Sequence, residues 1–162
     1  MGITHLKSQL KRQTELLSEF GKKELVLQKA ILERNWPAMD SVMPDLERLS
    51  ATLEAVERRR HSVVSKLKLA AGLEEGAPFA ELVLRAKPRE RAELTSLYRD
   101  LQIAVLRVKN HTSGIDSYVR SSIRTANTVL GELFPERKGT IYSRSGAHSP
   151  VRGSAMVLNH EL

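Results

Sequence analysis

Cysteine is absent from the 162-residue chain, which excludes disulfides, cysteine-ligated zinc and thiol chemistry together. Aromatic residues make up only 4%, so any core has to be aliphatic. That composition suits a Leu/Val/Ile seam between long helices better than aromatic-rich β-strands. No apolar run approaches the roughly 20 residues that cross a bilayer. The opening MGITHLKSQL holds no run suited to a signal peptide. A cytoplasmic protein with no membrane insertion is expected. Catalytic arrangements are missing as well. The histidines at 5, 61, 111, 148 and 160 form no i, i+4 pair, and the glycines of GAHSPVRG at 146–153 are not followed by the Lys-Ser/Thr of a phosphate-binding loop. His111 falls among apolar positions without companion ligands, so a packed or edge histidine is expected there and not a metal site. The chain reads as no enzyme, with no catalytic, cofactor-binding or metal-binding residues.

What is present is charge and helical period. Hydrophobic residues are 41% and charged residues 28%, a globular or coiled-coil mix. Steps of three and four from Ile3 land on Leu6, Leu10, Gln13, Leu17, Phe20, Glu24, Leu27 and Ile31. Only Gln13 and Glu24 interrupt this apolar seam. Gly21 is its one weak helix former. Asn35-Trp36-Pro37 breaks the pattern, with Asn35 placed to cap and Pro37 suited to a first turn. Pro44 either kinks the second helix or marks its true start behind Ser41. From Met39 the stepping gives Val42, Leu46, Leu49, Leu53, Val56, Arg60, Val63, Leu67 and Ala70, with Gly72 at a C-terminal cap position. Residues 73–87 form a connection holding one or two helical turns around Phe79, Leu82, Val83 and Leu84.

Pro88 opens a third long helix. Its seam runs Leu94, Leu97, Leu101, Ala104 with Val105, Val108, His111, Ile115, Tyr118, Ile123, Ala126, Leu130 and Leu133, and Pro135 ends it. Gly114 marks a bend or a close contact. The expected fold is all-α: a long antiparallel helical hairpin plus a long third helix, packed as a coiled-coil-like three-helix bundle over 1–134, with helices at about 3–34, 37–71 and 88–134. Residues 135–162, rich in Gly and Ser, read as a flexible basic tail.

At ~1.5 Å per residue the first two helices span roughly 50 Å each and the third roughly 70 Å. The third helix therefore outreaches the hairpin. Which end overhangs depends on the 73–87 connection. If the third helix starts at the hairpin's open end, the stretch beyond about Ile115 is left uncovered. Tyr118, Val119, Ile123, Ala126, Val129, Leu130, Leu133 and Phe134 then need a cover: a second copy, the tail, or another protein's amphipathic helix.

The net charge is +7. Arg58-Arg59-Arg60 is the sharpest basic cluster, but consecutive helical residues fan over some 200°. No aromatic interleaves them for base stacking. A solvated helix flank with Arg60 snorkelling at the seam is the expected state, and nucleic acid is not the expected partner. Tyr142 stands alone in the tail. It either folds back or serves as a docking aromatic, a residue type enriched at binding hot spots.

The second helix reads Leu46-Glu47-Arg48-Leu49 and Leu53-Glu54-Ala55-Val56-Glu57-Arg58-Arg59. The third holds Val108-Lys109-Asn110 followed by Ile115-Asp116, and the tail holds Ile141-Tyr142-Ser143-Arg144-Ser145-Gly146. In order and spacing this layout resembles the FlgN family, flagellar export chaperones for hook–filament junction proteins. Ser113 departs from it, standing where a second Asn is common. The resemblance implies a cytoplasmic protein that binds C-terminal amphipathic helices of flagellar hook-associated proteins, prevents their premature assembly and delivers them to the flagellar type III export gate. It implies Asn110, Ile115, Tyr118, Val119, Ile123, Ala126, Leu130 and Leu133 as partner-binding residues, Tyr142 as the gate contact, and no cofactor. A coiled-coil homo-oligomeric scaffold, with a homodimer through the third helix, is the alternative reading. A basic nucleic-acid-binding helical protein is a third.

Overall fold

A computed structural model describes residues 2–134. Among them are four helices and no strand: α1 (Gly2–Leu32), α2 (Trp36–Ala70), α3 (Phe79–Arg85) and α4 (Pro88–Leu133). The three long helices occupy the three periodic segments, and α3 is the helical turn expected within the connection. Residues 135–162 and Tyr142 within them lie outside the described residues. Two units are distinguished, Met1–Ser117 and Tyr118–Leu162. The second is described as far as Phe134.

The α1–α2 turn shows why the hairpin is tight. Asn35 N–H donates to the Ala30 carbonyl at 2.8 Å and Arg34 N–H to Ile31 at 3.1 Å. This pair of bonds closes a helix through a left-handed residue. That residue is Arg34, at φ 53°. Asn35 then serves the next helix, its side chain accepting from Ala38 N–H at 3.1 Å. One residue thus ends α1 and caps α2. Asn35, and not Ser41, starts α2, and Pro44 lies inside it. The same closing motif ends α2, with Gly72 at φ 68° and Leu73 N–H donating to Lys68 at 2.9 Å.

In the first unit the helix directions follow from the side chains that meet. Gln13 faces Arg60 and Lys23 faces Asp45, so residue numbers fall along α2 as they rise along α1. The hairpin is antiparallel. Lys7 pairs with Glu93, and Glu24 meets Thr112, so α4 runs parallel to α1. It therefore starts at the hairpin's open end, which settles the direction the sequence left open.

The core sits where α1, α2, α3 and the start of α4 converge. Leu6, Leu10 and Leu94 are its most enclosed residues, joined by Leu17, Val64, Leu82, Val83 and Leu101. Each such side chain contributes about 1.5–3 kcal/mol by leaving water. The α3 turn closes this end: Phe79 stacks on Tyr98 of α4 with ring centroids 4.2 Å apart. Nearer the hairpin turn a second cluster joins Leu16 of α1 to Leu49 and Val56 of α2.

Candidate partner-binding face

The polar interruptions of the seams find one another. Arg60 Nε donates to Gln13 Oε1 at 2.8 Å, joining the single departure on α2 to the first departure on α1. Glu24, the second departure on α1, is buried against α4. Thr112 Oγ1 is in short hydrogen-bond contact with Glu24 Oε1 and also lies 3.0 Å from the Val108 carbonyl. One hydroxyl proton cannot serve both acceptors. Desolvation by burial pushes the Glu24 carboxyl up from the ordinary range, against the opposing pull of Thr112 and His111. Glu24 Oε2 and His111 Nδ1 lie 3.9 Å apart, and both are buried without a hydrogen-bond partner. His111 is thus an edge histidine of the α1–α4 seam. Gly21, flagged in the sequence only as a weak helix former, faces α4 at ordinary packing distance. It is buried, and a Cβ there would stand 3.8 Å from Val108 and 3.9 Å from His111. Gly114 faces open space and is no close contact.

In the second unit the chemistry changes. Val119, Ile123, Ala126, Leu130 and Leu133 recur at alternating steps of four and three, so they share one helix face. At 100° per residue Tyr118, Val129 and Phe134 widen this face to roughly 160°. Ser121, Arg124, Thr125, Thr128 and Glu132 fall on the opposite side. Ile123 is 55% exposed, Leu130 54% and Leu133 65%, and none of the described residues of this unit is buried. Phe134 lies just past the helix, its N–H donating to Leu130 at 2.9 Å.

The other residues named from the sequence lie on the same helix within the first unit. Asn110 is exposed and Ile115 half-buried. Buried Leu16, Ala30 and Val64 were missed by the stepping. Each sits beside a seam position, where a contact with a second neighbour widens the apolar stripe. Apolar exposure is not confined to the second unit either. Leu25 and Ile103, at 49% and 41% exposed, line a groove between α1 and α4. The strict seam gave no signal for it, because both residues lie off the stripe.

The sequence model of the FlgN protein family matches residues 1–150. The chain belongs to the FlgN family. FlgN proteins are flagellar chaperones and not enzymes. No curated protein and no solved structure matches the chain significantly. Among its described residues no helix is long and apolar enough to cross a membrane.

Proposed function

We propose that this chain is a cytoplasmic type III export chaperone whose cargo lies along the α4 face from Tyr118 to Leu133. Its cargo is the C-terminal amphipathic helices of flagellar hook-associated proteins. The observation that carries the reading is the exposure of Ile123, Leu130 and Leu133 on one face in a chain of the FlgN family. Exposed apolar stripes of this size are unfavourable unless something covers them.

The mechanism is helix against helix. Cargo side chains bury Tyr118, Val119, Ile123, Ala126 and Leu130, with Asn110 and Ile115 as further contacts on α4. Four or five aliphatic anchors at about 1.5–3 kcal/mol each, less the cost of ordering two segments, support micromolar to nanomolar affinity. The same apolar residues on the cargo are then unavailable for premature assembly. Release needs only that the export-gate complex be favoured over the free one. Tyr142 is the proposed gate contact.

The test is co-purification with a flagellar hook-associated protein, comparing the natural chain with Ile123→Asp/Leu130→Asp. The double variant is expected to lose cargo binding while keeping its helicity, because neither side chain is in a core. Binding that survives places the cargo elsewhere. A tight homodimer that the double variant dissociates, with no cargo recovered, supports the scaffold reading instead.

A further inference from the structure

The Arg58-Arg59-Arg60 cluster fans out as its spacing suggests. Arg60 turns inward onto Gln13, leaving Arg58 and Arg59 outside. Both line an open groove of about 650 Å³ between the start of α1 and the second half of α2, where His5 and Lys66 join them. The floor is apolar, made by half-buried Val63 and Leu67. Gly2 lies at the groove with its backbone against Leu67, so close that a Cβ would stand 2.7 Å from Leu67 Cδ2. No acidic residue lines the groove, and the first turn of α1 carries none. Beyond the lining, Arg58 pairs with Glu54 at 3.2 Å and Arg60 with Glu57 at 3.6 Å. Arg59 and Lys66 are both exposed.

We infer that this groove docks an acidic amphipathic helix of a partner protein, at a site separate from the α4 face. A helix with leucine-type residues on one side and carboxylates along the adjoining flank matches an apolar floor edged by Arg58, Arg59 and Lys66. The chain's own residues 135–162 are the wrong sign, with four Lys/Arg against two Glu. A nucleic-acid strand matches less well. Its phosphates gain nothing from Val63 and Leu67, and no aromatic residue lines the groove to stack on a base. Arg59 and Lys66 supply the charge that selects the partner, and Val63 and Leu67 supply the apolar contact.

The probe is a fluorescein-labelled 15-residue helical peptide with leucines at i, i+3, i+4 and i+7 spacing and glutamates elsewhere, titrated with the full chain by anisotropy. Binding is expected to weaken at least tenfold in Arg59→Glu/Lys66→Glu and on raising NaCl from 50 to 500 mM. It is expected to survive in Ile123→Asp/Leu130→Asp. Both altered side chains in the charge variant are exposed, and unchanged circular dichroism verifies that the fold is kept. Four results overturn the inference: no binding, equal binding of the lysine-for-glutamate peptide, loss only in the α4 variant, or full competition by single-stranded RNA at a lower concentration than by unlabelled peptide. Loss in both variants also overturns it, because one site would then serve both faces. The α4 cargo reading is unaffected by failure here, since its own test uses a different partner and different residues.

Discussion

The two halves of α4 carry the same alternation of three and four residues and end in opposite states. In the half within the first unit, Leu94, Leu101 and Ala104 are buried, and Leu97, Val105 and Val108 pack against them. From Tyr118 to Phe134 not one residue is buried. Period alone therefore specifies which side of a helix is apolar, and the neighbour specifies whether that side is covered. On the proposed function, Ile123, Leu130 and Leu133 on one face of the second half are the surface that a partner covers.

The comparison breaks most visibly under truncation. Leu94→Ala, at a position 1% exposed, should destabilise the chain by about 2–5 kcal/mol in chemical denaturation. Leu130→Ala should change stability by less than about 0.5 kcal/mol. Equal losses would mean that the two halves are equally packed.

A smaller effect lies at the boundary of the covered half, at Glu24. Its carboxyl is raised by burial, so the folded chain holds that proton to higher pH than the unfolded chain does. Stability from this group falls as pH climbs from the ordinary carboxylate range through the raised value, and the cost is complete above it. Glu24→Gln removes the charge and keeps an acceptor for Thr112. The variant should be more stable by about 1 kcal/mol at pH 7, with the advantage vanishing at and below the ordinary carboxylate range. Thermal melts at pH 4 and pH 7 measure it. A Gln variant that is less stable at pH 7 would show that a charged Glu24 is satisfied by His111. The surface pairs act in the other direction. Lys23 holds Asp45 below the usual range, and Lys7 does the same for Glu93, so their contribution is lost only as pH falls through those lowered values.

The smallest change is at the hairpin turn. Arg34 occupies the left-handed region at φ 53°, where a side chain costs roughly 1 kcal/mol that glycine avoids. Arg34→Gly should raise stability by up to about 1 kcal/mol in the same denaturation assay. A loss of stability would mean that the Arg34 side chain makes a compensating contact.

Much of this was legible beforehand because long heptad seams are redundant: one polar interruption does not hide eight apolar positions. The three long helices, the Asn35 cap and the Gly72 close all follow from spacing and backbone chemistry. The apolar stripe of Val119, Ile123, Ala126, Leu130 and Leu133 follows from the same spacing. Three-dimensional meeting was not legible. Gln13 and Arg60 are forty-seven positions apart and Glu24 and Thr112 eighty-eight apart, and nothing local says that each polar gap answers another. Arg34 escaped for a related reason, since a non-glycine residue in the left-handed region carries no compositional mark. The Arg58–Arg59 groove escaped because its floor comes from α2 and its closing edge from α1.

The most direct test of the central claim is amide hydrogen exchange read residue by residue, with and without the C-terminal segment of a flagellar hook-associated protein. Alone, residues 118–133 should exchange far faster than 94–108, and on adding the segment protection should rise mainly across 118–133. Slow exchange at 118–133 without any partner, or new protection confined to the first unit, would contradict the account.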